Sequence, residues 1–197
     1  MNTLRRVAVY CGSSPGRDPA WLESARQLGG QLAARSIGLV YGGGNMGIMG
    51  ELARAVMAGG GQAFGVIPER LNGLVDHTEL TELVVTPGMH ERKAKMIDLA
   101  DGFIILPGGI GTMEEFFEVL TWQQLGYHSK PEGLLESGGQ GSGFFAPVLA
   151  LLDHLVASGF LKPDHRRNIL VAASPEGLLE QMASQTLHIS AKLPERR

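Results

Sequence analysis

The chain is expected to fold as an α/β protein, a doubly wound and mostly parallel sheet with helices on both faces. Short continuous apolar runs such as Val7 to Tyr10 and Phe103 to Leu106 recur along it, separated by amphipathic stretches of helical length. That alternation is the pattern of repeated βα units. In addition, the 28 glycines among 197 residues gather in loops, where a missing side chain permits tight turns and close backbone approach.

In chain order, strands are expected at about 6 to 11, 37 to 41, 62 to 67, 82 to 86, 102 to 106, 133 to 136 and 168 to 172. The first helix is announced by Asp18 as cap and Pro19 at the first helical position, with Trp21, Leu22, Ala25, Leu28 and Leu32 on one face. Ser174-Pro175-Glu176 repeats that start signal near the end. The length fits one domain, taken as residues 1–185, with a C-terminal tail at 186–197 that shows no period and is expected to fray. The glycine-rich stretch at 137–143 is the one insert that reads as flexible.

Composition narrows the function classes. A net charge of −3, with no long basic run, offers no footprint for nucleic acid as a partner. The apolar stretch after Arg5 and Arg6 is too short for a secretory signal, and no run reaches the length of a membrane-spanning helix. One cysteine fits a reducing cytoplasm. The six histidines are scattered without metal-ligand spacing, so no metal is expected.

Parallel strands present their carboxyl ends, and therefore their ligand-binding loops, at one edge. The loops there are CGSSPG (11–16), GGGNMG (42–47), PER (68–70), PGMHERK (87–93) and PGGIGT (107–112). In the last, Gly108, Gly109 and Gly111 expose backbone N–H groups at the start of a helix expected to open at Thr112. Such a bend is either an anion cradle or simply a tight strand-to-helix turn. No Gly-Lys-Ser/Thr follows, so it is not a nucleoside-triphosphatase loop.

Glu115 has two readings. It completes a capping box with Thr112, or it faces a sugar attached to a phosphate held by the glycines and steadies an oxocarbenium-like transition state. Arg92 and Lys93 stand near a helix N-terminus, where cations oppose the macrodipole. They therefore call for a partner such as Glu91, or an anionic ligand. Arg92 is too basic to give up a proton and serves as a rigid fork. Gly42, Gly44 and Gly47 also match a dinucleotide fingerprint, although on the second βα turn rather than the first. Cys11 reads as a small buried residue, and Ser13 as a phosphate donor or a turn cap.

Together, GMHERK, PGGIGTMEE, YGGGNMGIMG and LTWQQLGYHSKP closely resemble the LOG family, the cytokinin-activating phosphoribohydrolases often mislabelled as lysine decarboxylases. The resemblance runs to about residue 182 and implies a Rossmann-like fold, a homodimer, and no metal or organic cofactor. The implied activity is hydrolysis of the N-glycosidic bond of an adenosine 5′-monophosphate, N6-substituted or plain, to free base and ribose 5-phosphate. It gives Arg92 and Glu115 as catalytic residues. Lys93, Gly108, Gly109, Ile110, Gly111, Thr112, Met113, Glu114 and Thr121 follow as substrate contacts, with Gly43, Gly44 and Ser13 on neighbouring loops. The family's usual sequence after Lys130-Pro131 is replaced here by EGLLESGGQGSGFFAPV. Two alternatives remain at this stage. One is a non-catalytic nucleotide or molybdenum-cofactor carrier of the same fold, and the other is an NAD-dependent oxidoreductase.

Overall fold

Seven parallel strands form one sheet in the order β4-β3-β2-β1-β5-β6-β7. The computed structural model describes residues 2–73, 79–136 and 143–187. The strands are β1 Arg6–Tyr10, β2 Gly38–Tyr41, β3 Ala63–Pro68, β4 Glu82–Thr86, β5 Gly102–Ile105, β6 Glu132–Leu135 and β7 Ile169–Ala172. The helices are α1 Pro19–Ala34, α2 Gly47–Ala58, α3 Glu69–Asn72, α4 Met89–Leu99, α5 Ile110–Leu125, α6 Ala146–Ala157, α7 Pro163–Asn168 and α8 Pro175–Ser184. Each expected strand lies within about two residues of an observed one. All but the first two residues of the expected tail at 186–197, and all but the last of the insert at 137–143, fall outside the described residues.

The alternation of side chains along a strand builds two cores, one on each face. Val7, Val9 and Cys11 turn toward α1, α2 and α8, where Leu28, Leu32, Leu52 and Leu178 meet them. Ala8 and Tyr10 turn to the opposite face, with Met96, Phe116, Val119 and Leu152. A sheet covered on both faces needs apolar residues at every strand position, which is why its strands read as continuous runs. Asp18 caps α1 by accepting from the Ala20 N–H at 2.9 Å, and Ser174 caps α8 by accepting from the Gly177 N–H. Both starts are those the sequence signals.

The strand order reverses between β1 and β5. From β1 the chain winds outward through β2, β3 and β4, while β5, β6 and β7 extend the other side. The loops after β1 and β5 therefore leave in opposite directions and open a crevice at the carboxyl edge, the position where ligands bind in such sheets. The two loops touch at its floor, where Gly12 N–H donates to the Pro107 carbonyl at 3.0 Å. Among the described residues, no helix is long and apolar enough to cross a membrane.

Candidate active site

The crevice holds a cleft of about 550 Å³ lined by residues from the carboxyl edge of β1 to β5: Ser13, Gly44, Pro68, Arg92, Gly109 to Thr112 and Glu115 among them. One wall is the start of α5. Its N-cap is Gly109, in extended conformation and without any side-chain cap, and the first intrahelical bond runs from Met113 N–H to the Gly109 carbonyl at 3.1 Å. The Ile110, Gly111 and Thr112 amides precede that bond, so the positive end of the helix faces the cleft.

This start corrects one expectation. Thr112 does not cap α5, and Glu115 does not close a capping box. The helix begins two residues earlier, at Ile110. The cause lies under Gly108: a Cβ there would fall 2.2 Å from the Thr112 hydroxyl oxygen and 2.9 Å from the Gly12 nitrogen. The Thr112 hydroxyl thus packs beneath the glycine bend rather than accepting from the Glu115 N–H as a cap would.

Glu115 is instead turned across the cleft wall to Arg92 on α4. The Arg92 Nη1 donates to Glu115 Oε1 at 2.5 Å, and its Nε donates to the Val66 carbonyl at 3.1 Å. Both side chains are nearly buried, at 12% and 11% exposure. Burial raises the Glu115 carboxyl above its ordinary range, and the Arg92 guanidinium pulls it back down. The arginine thereby offsets part of the cost that burial puts on the ionised form, and the carboxyl stays raised on balance. Burial beside Glu115 pushes the Cys11 thiol up, so it is not an available nucleophile.

Lys93, one residue on, faces the other way. It is buried and ion-paired with Glu114 and, at 2.9 Å, with Glu118. Arg92 and Lys93 are therefore compensated from α5 rather than by Glu91, whose carboxylate folds back over Gly88. The remaining expected residues are dispersed. Gly108 lines a smaller adjoining cavity of about 220 Å³ with Trp21 and Phe144. Met113 packs on the core, the Thr121 hydroxyl donates to the Phe117 carbonyl, and Gly43 lies over Gly65 and Leu83.

Sequence reasoning missed the apolar part of the cleft. Met49, Ile67 and Leu71 line it together with Met89. Leu71, Met89 and Ile110 stand exposed at 36%, 46% and 86%. The short loop after β3 was the available signal, because every carboxyl-edge loop is a candidate wall.

The family described as "Possible lysine decarboxylase" matches residues 49–182. Among the described residues, those lining the cleft include no lysine, so none of them supplies the Schiff-base chemistry that description suggests. The chain is 47% identical over 177 residues to the cytokinin riboside 5′-monophosphate phosphoribohydrolase LOG of Oryza sativa subsp. japonica, covering 89% of this chain and 72% of that one. It is 42% identical over 184 residues to the enzyme of that name from Rhodococcoides fascians, covering 92% and 91%. In fold it resembles the molybdenum cofactor binding protein of Rippkaea orientalis, with a TM-score of 0.68 at 22% identity over 92% and 97% of the two chains. With the MHERK and PGGIGTMEE segments meeting at one cleft and this degree of identity along nearly the whole sequence, the chain belongs to the LOG family of cytokinin riboside 5′-monophosphate phosphoribohydrolases.

Proposed function

We propose that this protein hydrolyses the N-glycosidic bond of adenosine 5′-monophosphates, preferring those with an apolar N6 substituent, and releases free base and ribose 5-phosphate. The observation that carries the reading is the position of Glu115: a carboxylate, held by Arg92, just inside the open N-terminus of α5. Amides at such a terminus bind phosphate. A nucleotide whose phosphate rests on Ile110, Gly111 and Thr112 has its ribose beside that carboxylate. As the C1′–N9 bond breaks, its electron pair leaves with the base and positive charge grows on C1′ and the ring oxygen. Glu115 stabilises that charge and orients the water whose oxygen bonds to C1′. One proton of that water is lost and the departing base gains one, so the reaction balances with water as the only co-reactant. The cleft's volume suits a nucleotide. Leu71, Met89 and Ile110 offer an apolar rim for an N6 substituent.

The working form we propose is a cytoplasmic homodimer paired through α6. That helix, APVLALLDHLVA, is strongly apolar: Leu152 is buried and Val148, Leu149, Leu155 and Val156 pack partly on the core, while Leu151 stands exposed.

The decisive experiment is Glu115→Gln. Because Glu115 takes no part in capping α5, the substitution leaves the helix start intact. Turnover of AMP and of N6-isopentenyl-AMP is expected to fall by about 10²–10³-fold, with AMP affinity within severalfold of the native protein's. Unchanged base release in the variant rejects the assignment. Tight AMP binding by the native protein without any base release would make it a carrier instead.

A further inference from the structure

We propose that Gly42 is a positioning residue for the reaction: the space where its side chain would stand is the socket that seats the Arg92 guanidinium against Glu115. This rests on the catalytic reading of that pair.

The guanidinium is held on three sides. Its Nε donates to the Val66 carbonyl at 3.1 Å and its Nη1 to Glu115 at 2.5 Å. The third side is Gly42. A Cβ built there would lie 2.7 Å from Arg92 Nη2 and 3.2 Å from both the sulfur and the methyl carbon of Met49. A carbon and a nitrogen that are not bonded rest about 3.5 Å or more apart, so any side chain at 42 must push the guanidinium away. Moving it lengthens the hydrogen bond to Val66, the one to Glu115, or both.

Backbone geometry gives no other reason for a glycine at this position. In YGGGNMG the positive φ angles are at Gly43, +79°, and Gly47, +59°, and not at Gly42. The socket is also rigid. Gly42 directly follows β2 and Val66 lies in β3, and these strands pair through Tyr41 and Gly65.

The same contacts explain the apparent dinucleotide fingerprint. Gly42 seats an arginine. Gly47 lies against the backbone of Ser13 and Ser14, where a Cβ would fall 2.4 Å from the Ser13 carbonyl. Two of its three glycines are therefore spent on contacts within the protein.

The test is Gly42→Ala, read by crystal structure and by steady-state turnover of AMP. Expected are a folded protein, a guanidinium displaced by about 1 Å or more from the Val66 carbonyl or Glu115, and a kcat reduced about 10–100-fold with KM within about threefold. A guanidinium in its native place, or an unchanged kcat in an enzyme that does turn over AMP, overturns the proposal. The crystallographic result needs no substrate. It therefore judges the socket even if the native protein proves inactive on AMP, an outcome that would instead reject the proposed reaction. Should Gly42→Ala fail to fold, the double variant Gly42→Ala/Arg92→Ala decides. Removing the guanidinium should restore folding, and a double variant that stays unfolded shows that glycine is needed there for another reason.

Discussion

Arg92 and Lys93 are adjacent in sequence and point to opposite fates. Successive residues on a helix are turned by about 100°, so one reaches the cleft and the other the flank of α5. The sequence marks both as cations that need a partner, and the motif marks Glu115. It cannot show which cation takes which carboxylate, because the pairs span 21 to 25 residues and two helices. Lys93→Met separates the two roles open to this lysine. Methionine keeps the apolar stem but leaves Glu114 and Glu118 facing each other without a cation. Glu114 is half-exposed and partly hydrated, at 53%, so the loss is expected at about 1–3 kcal/mol, less than for a fully buried pair. Denaturant unfolding measures it. KM for AMP should stay within about threefold, and a large rise in KM with native stability would move Lys93 to the substrate's phosphate.

Among the elements, strands and capped helices were legible for a simple reason: their signals are local. Two-sided burial makes an apolar run of each strand, and Asp18-Pro19 and Ser174-Pro175 carry their own caps. The start of α5 was misplaced because Gly108, against which the Thr112 hydroxyl packs, is itself pressed on Gly12, a contact between loops nearly 100 residues apart. A capping box scored on spacing alone has no access to that contact. α6 presents the converse case, an apolar helix that packs on the core through Leu149, Leu152 and Val156 and still leaves Leu151 exposed. If it pairs with a second copy, a charge on its outer side should separate the subunits without unfolding either. Leu151 is 47% exposed, and Leu151→Glu is expected to change monomer stability by no more than about 0.5 kcal/mol. Light scattering should then give a mass of about 21 kDa rather than twice that, whereas a variant that keeps the native mass excludes Leu151 from the contact.

For the whole molecule, the parallel sheet and its ligand edge followed from the alternation of elements, but the order of strands did not. Nothing local says that β5 lies beside β1 rather than β4, and it is this step that brings PGGIGT against CGSS. The sheet also buries a group that no run of apolar residues announces. Glu132 begins β6 fully enclosed, neither carboxylate oxygen has a hydrogen-bond partner among the described residues, and burial pushes its carboxyl up from 4.5 to about 8. His128 is displaced the opposite way, from 6.5 down to about 4. It sits as the neutral ring with Nε2 donating to the Val119 carbonyl and Nδ1 accepting from the Lys130 N–H.

Each shift sets a slope of stability against pH. Between about 4.5 and 8 the folded state keeps the Glu132 proton that the unfolded chain has lost, so stability falls as pH rises through that window. Between about 4 and 6.5 the unfolded chain binds a proton that His128 refuses, so stability rises with pH there. Where the windows overlap the slopes oppose each other, and from about 6.5 to 8 Glu132 acts without that opposition. The native protein should therefore lose stability from pH 6.5 to 8, by roughly 1–2 kcal/mol at about 1.4 kcal/mol per pH unit for one proton. Glu132→Gln cannot ionise, so its unfolding free energy should rise with pH up to 6.5, where the opposed slopes flatten the native curve, and lose most of the decline above it. Glu115, whose carboxyl is also raised, is present in both proteins and cancels in the comparison. Parallel curves for the two proteins between pH 6.5 and 8 would mean that Glu132 is ionised in the fold and has a partner that holds its charge.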